Sequence, residues 1–169
     1  MRQMYFITST VNAWKSLFHR AEFAEIIIRS LSFMITNERI KLHGYVIMPN
    51  HLHLILTINE QYALSSYLRD FHKYTAYEII KLFKESKCPD LALFEVKKND
   101  RAYQIWQETH APKTVQSYKF FRQKLEYIHN NPLSARWRLC ERPERYPYSS
   151  AGDYLTNKPG LLRVEKIVI

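Results

Sequence analysis

The spacing of hydrophobic positions changes along this chain, and each change marks an element. Residues 4–11 (MYFITSTV) are β-branched and aromatic with partial alternation, which predicts a first strand. Over residues 21–36, Phe23, Ile26, Ile27, Leu31, Phe33 and Met34 recur mostly at three- and four-residue steps, the mark of an amphipathic helix. Residues 40–48 and 51–58 return to strand character, and the tight Pro49-Asn50 connection predicts an antiparallel hairpin. A second helical stripe runs over residues 64–83 through Leu64, Tyr67, Leu68, Phe71, Ile79, Leu82 and Phe83, with Ser65 or Ser66 as the expected cap. Residues 87–100 are polar around a short LALF segment and read as a loop, while 103–106 and 112–115 read as short strands or extended connections. A third helix is predicted over 114–131, capped by Ser117, striped by Phe120, Phe121, Leu125 and Ile128, and ended by Pro132. The remainder, 133–169, holds prolines, tyrosines and several arginines and reads as an irregular basic tail packed on the domain. This order predicts one α+β domain over residues 1–169, an antiparallel sheet backed by helices.

Composition narrows the picture. With 169 residues, 46% hydrophobic and 14% aromatic, the chain has material for a packed core, which argues against disorder. It carries 25 basic against 16 acidic residues, a net charge of +9. Such an excess suits a polyanionic partner, nucleic acid first, although surplus lysine also serves solubility. Two cysteines, Cys88 and Cys140, make neither a disulfide framework nor a CxxC zinc pattern. With no signal peptide and no apolar run of membrane length, the expected location is the cytoplasm and no membrane partner is expected. On the second helix Arg69, His72, Lys73, Lys81 and Lys84 add positive charge around Tyr74 and Tyr77. That mixture suits single-stranded nucleic acid, and Arg69, Lys73, Tyr74 and Lys81 are the DNA-contact candidates. A solvated helix face with its aromatics turned inward is the ordinary alternative.

The chemistry starts at His51-Leu52-His53. Strand side chains alternate, so the two imidazoles share one face while Leu52, Leu54 and Leu56 take the other. Neutral imidazole is a common ligand for transition metals, and two on one strand supply much of a catalytic site's protein donors. An isolated HxH pair is also compatible with two strand histidines that have no task. On the third helix Tyr127 and Asn131 are four apart, so a phenol and a carboxamide leave one face a turn apart. A metal held by two histidines and a carboxamide is a Lewis acid with open positions, suited to polarising a phosphoryl oxygen. A nearby tyrosine then supplies a nucleophile, and attack on a phosphodiester conserves the broken bond for rejoining. Tyr74 is the rival nucleophile, but four residues beyond it stands Glu78 rather than a carboxamide. A phenol ordinarily keeps its proton at neutral pH, so the attack needs a base or a neighbouring cation; no single residue of the sequence stands out for that role, since His129 points elsewhere on the helix and Lys124 is a guess.

The succession PNHLHLIL, WQETH, YIHNNP and YPYSS resembles the HUH single-strand transposases of the IS200/IS605 type, which pair a His-hydrophobic-His strand with one catalytic tyrosine. The YIxxNP form and the long tail resemble the REP-associated tyrosine transposases in particular. The resemblance implies a ferredoxin-like antiparallel sheet with the HxH on a central strand and the tyrosine on a helix. It also implies a divalent metal and 5′-phosphotyrosine chemistry on single-stranded DNA hairpins or palindromic repeats; mixed nitrogen and oxygen ligands with open positions suit Mg2+ or Mn2+, with zinc the alternative. Carried over by position, His51 and His53 resemble the metal ligands, Tyr127 the nucleophile, and Asn131 the residue that completes or neighbours the metal site. The insertion-sequence branch has Gln where Asn131 stands. Trp106, Gln107 and His110 of WQETH resemble a segment that supports the site. The resemblance also offers two assemblies, a monomer and a homodimer that exchanges tyrosine helices; the tail favours the monomer. Two other functions are weighed against this one. A domesticated hairpin-binding protein would have no use for intact His51, His53 and Tyr127, and a histidine phosphoesterase would need a second histidine motif.

Overall fold

The hairpin around Pro49-Asn50 forms one half of the main sheet in the computed structural model, which describes residues 3–108 and 112–167. In chain order, β1 (Met4–Thr10) leads to α1 (Ala21–Thr36), then to β2 (Ile40–Met48) and β3 (His51–Ile58), and on to α2 (Leu64–Glu85). A short ribbon of β4 (Glu95–Lys98) and β5 (Arg101–Tyr103) follows, then β6 (Lys113–Thr114), α3 (Tyr118–Asn130) and the one-turn α4 (Ala151–Leu155). The main sheet runs β2-β3-β1-β6 and is antiparallel at every pairing, so the histidine strand is central. This is the α+β, ferredoxin-like arrangement.

Alternation assigns the two faces. Leu52, Leu54 and Leu56 of β3, with Ile7, Tyr45 and Ile47, turn toward α1 and α2 and form the larger core. Each such aliphatic side chain contributes about 1.5–3 kcal/mol on burial. The opposite face carries Phe6, Val46, Met48 and Ile55, over which α3 lays Phe121, Leu125 and Ile128. The helix comes close because β2 has a register shift between Leu42 and Gly44, and Gly44 lies beneath it. A Cβ at Gly44 would stand 2.7 Å from Leu125 Cδ1 and 3.1 Å from Ile128 Cδ1.

Two local expectations need correction. The span 87–100 is not simply a loop: residues Pro89–Phe94 make a 3-10 turn that buries Phe94, and Glu95–Lys98 then pairs with β5. A small ribbon with mostly exposed side chains has no buried face, so it leaves no alternating pattern to read. Likewise neither Ser65 nor Ser66 caps α2, which begins from an extended Ala63 with no side-chain cap.

The tail is mostly irregular, with a 3-10 turn at Pro143–Arg145 and the short α4. It lies along the outer edge of β2. Ile47 N–H donates to Tyr148 O at 2.8 Å and Tyr45 N–H to Ser150 Oγ at 2.9 Å. In return Glu165 N–H reaches Leu42 O, Ser150 N–H reaches Tyr45 O, and the hydroxyls of Tyr154 and Tyr146 reach His43 O and Ile47 O. Among the described residues no helix is long and apolar enough to cross a membrane.

Candidate active site

His51 and His53 face α3 with ring centroids 4.8 Å apart, and both are buried, at 7% and 5% exposure. The turn fixes the first ring. Asn50 Nδ2 donates to the Trp14 carbonyl at 3.1 Å, which orients the amide so that its Oδ1 accepts from His51 Nδ1–H at 2.7 Å. The proton of His51 therefore sits on Nδ1, leaving Nε2 a free lone pair. His53 stacks on Phe6 at 5.3 Å, and its Nδ1 lies 2.8 Å from Thr8 Oγ1, a hydroxyl able to accept the Nδ1 proton. Its Nε2 is buried with no hydrogen-bond partner. Burial, then Arg136, pushes His51 down to about 4. Burial, then His51 and Lys124, pushes His53 down to about 3. At neutral pH both rings are uncharged, the form that binds metals.

An orphaned Nε2 beside a second imidazole whose tautomer is preset fits a metal ion. Among the described residues no third His, Cys, Asp or Glu joins them. Asn131 lines the same cleft.

The tyrosine arrives on α3. Ser117 Oγ accepts from Phe120 N–H at 3.2 Å and starts the helix, while Phe121, Leu125 and Ile128 anchor its inner face. That rotation leaves Tyr127 half exposed, its ring 5.2 Å from His53 and 6.4 Å from Phe6. Asn131 follows as the C-terminal cap residue of the helix. The Lys124 ammonium lies over the Tyr127 ring, 5.6 Å from its centroid, and lines the same cleft. His129 turns away from the cleft, with Nε2 2.8 Å from Ser150 Oγ, and burial pushes it down to about 4.

Together these groups line an open cleft of about 590 Å3, joined by Trp14, Lys113, Arg136 and Trp137. These last four carry no periodic signal in the sequence. The α2 candidates Arg69, Lys73, Tyr74 and Lys81 do not reach the cleft: α2 packs on the other sheet face and these side chains point to solvent. His72 adds no charge there, because burial pushes it down to about 4 and its Nε2 lies 2.8 Å from Ser9 Oγ. Trp106 belongs to the larger core, where its Nε1–H donates to Thr75 Oγ1. Gln107 N–H extends the end of β1 by donating to Thr10 O, and His110 lies outside the described residues.

Comparison with known proteins gives three findings. The family model described as "Transposase IS200 like" matches residues 2–131. A solved REP-associated tyrosine transposase, bound to a REP hairpin, superposes with a TM-score of 0.66 at 16% identity, covering 100% of this chain and 90% of that one. An uncharacterized protein of Haemophilus influenzae is 30% identical over 102 residues. That match takes in 56% of this chain and 56% of the relative, so the two correspond over little more than half their lengths.

Proposed function

The chain belongs to the IS200-like transposase family, and on that footing we propose that it cleaves and rejoins single-stranded DNA beside hairpins through a 5′-phosphotyrosine at Tyr127. The observation that carries the reading is the meeting of Tyr127, Lys124 and the ligand-ready His53 in one cleft, from a helix and a strand far apart in sequence. The hairpin bound by the REP-associated neighbour supports a hairpin partner here.

The phenol oxygen of Tyr127 attacks phosphorus, a new O–P bond forms, and the bond to the 3′-oxygen breaks. The phenol gives up its proton as it attacks and the released 3′-oxygen takes one up, so protons balance; the 3′ end leaves as a hydroxyl while the 5′-phosphate stays on the protein. Attack by a 3′-hydroxyl reverses the exchange and rejoins DNA without an external energy source. Lys124 and Arg136 offset charge on the phosphoryl oxygens. His51 and His53, with Asn131 as the further donor, would hold Mg2+ or Mn2+, which supplies Lewis-acid polarisation of the phosphate. Thr8 and Asn50 keep the two imidazoles oriented. Arg69, Lys73, Tyr74 and Lys81 would serve DNA lying outside the cleft, on the far side of the sheet. Since Tyr127 meets a histidine of its own chain, a monomer suffices.

Labelled hairpin DNA with Mg2+ or Mn2+ tests the reading. Wild type is expected to give a detergent-stable adduct on the peptide containing Tyr127, and Tyr127→Phe to bind DNA but give none. An adduct that persists in Tyr127→Phe and vanishes in Tyr74→Phe would move the nucleophile to α2. Binding with no adduct in wild type would leave a hairpin-binding protein.

A further inference from the structure

We infer that Trp14 and Trp137 form a seat for one unpaired nucleobase next to the phosphate at His51, an inference that rests on the single-strand cleavage reading. The indoles come from unrelated segments, the turn after β1 and the tail, yet each ring centroid lies 6.3 Å from the His51 ring. Trp14 is 52% exposed, so burial does not account for its position. Its backbone is unusual as well. Ala13 has φ 54° and Trp14 φ 56°, two consecutive left-handed residues, neither of them glycine. The turn is held in that shape by Trp14 N–H to Val11 O at 2.9 Å and by the Asn50 amide on the Trp14 carbonyl. A non-glycine turn is thus kept in an unfavourable conformation with its indole in the cleft.

The surroundings select the occupant. Lys113, Lys124 and Arg136 line the cleft, and no Asp or Glu does among the described residues. The Arg136 guanidinium stands 5.3 Å from the Trp137 ring centroid, so the second indole already carries a cation beside it. An apolar peptide would gain nothing from three cations. A nucleotide uses both halves, phosphate against the cations and base against the indoles, and every base offers a π-face. This subsite would hold the nucleotide still while Tyr127 attacks, which separates it from the histidines that act on the phosphate itself.

The chain's three tryptophans make the test spectroscopic. Trp106 is buried, at 6% exposure, so quenching by added DNA reports on Trp14 and Trp137. The probes are a short oligothymidylate and an abasic phosphodiester of the same length. Oligothymidylate is expected to quench the indoles and to bind about tenfold more tightly than the abasic strand. Trp14→Ala and Trp137→Ala should each weaken oligothymidylate about tenfold, leave abasic binding and the salt slope unchanged, and Trp14→Phe should recover most of the loss. Equal affinity for both probes with unmoved fluorescence would overturn the seat and leave the cleavage reading standing. Binding of neither probe would overturn both. Circular dichroism on each variant guards against misfolding, and Trp14→Phe carries the comparison if an alanine variant unfolds.

Discussion

Replacing Asn50 by alanine probes the bridge between the Trp14 turn and His51. Asn50 is 1% exposed and makes one bond in each direction, to the Trp14 carbonyl and from His51 Nδ1–H. Alanine removes both and strands the buried His51 N–H and the partly exposed Trp14 carbonyl, at up to about 1–3 kcal/mol each. The Trp14 end lies near solvent and water can replace part of its bond, so the expected loss is about 3 kcal/mol in all. With a urea slope of about 2 kcal/mol per molar, the unfolding midpoint falls by about 1.5 M. A second effect is separate from stability. Without an acceptor at Nδ1, the His51 proton is free to move to Nε2, and loss of such an orienting partner lowers metal affinity about 10–100-fold. Urea unfolding followed by circular dichroism reads the first, and Mn2+ titration by electron paramagnetic resonance the second. Asn50→Asp separates them, because it keeps an acceptor for His51 but sets an oxygen against the Trp14 carbonyl; it should lose stability and keep most Mn2+ affinity. An alanine variant as stable as the parent, with unchanged Mn2+ binding, would refute the bridge.

Other substitutions probe the same architecture. His51→Ala or His53→Ala should abolish cleavage in the labelled-hairpin assay and spare most DNA binding, which cations supply; full cleavage by both would sink the metal assignment. Gly44→Ala places a methyl 2.7 Å from Leu125 Cδ1 and should cost about 1–3 kcal/mol in urea unfolding, with lower kcat as α3 lifts Tyr127 from His53. A parental kcat in that variant would show that the close approach of α3 is not needed for the chemistry. His129 is held near 4 when folded against 6.5 when free, so the unfolded chain binds its proton first as pH falls. Its share of stability is full above about pH 6.5 and declines toward pH 4, by roughly 3 kcal/mol at about 1.4 kcal/mol per tenfold change in proton affinity. His129→Gln should flatten the acid limb of a stability-against-pH curve by that amount, and an unchanged limb would rule out the burial argument.

The parts of the fold with a buried face were legible in the sequence. The β2–β3 hairpin was predicted from two apolar, β-rich runs joined at Pro49-Asn50 and the stripe of α3 from its three- and four-residue spacing, and Ser117 caps the helix as expected. The β4–β5 ribbon buries almost nothing, so no period revealed it. Of the cleft, the spacing of His51 with His53 and of Tyr127 with Asn131 follows from strand and helix geometry. That the two pairs face each other was suggested by family resemblance, since periodicity says nothing about how α3 packs. Trp14, Arg136 and Trp137 come from aperiodic segments, so only the folded chain brings them together. His72 shows the reverse error: a basic helix position by sequence, it is neutral because burial beside Ser9 strips its charge.

The edge of β2 sets a timetable for synthesis. β2 and β3 leave the ribosome well before residues 146–165, the stretch that later covers the edge. In that interval the carbonyls of Leu42, His43, Tyr45 and Ile47 stand open in a row, a template on which a second nascent chain can add a strand. A product ending just after α3 would contain nearly all of the family-matched segment, including Tyr127 and both histidines, and is expected to accumulate as aggregate. The tail thus closes a sheet edge that a chain stopped short of Glu165 would leave open.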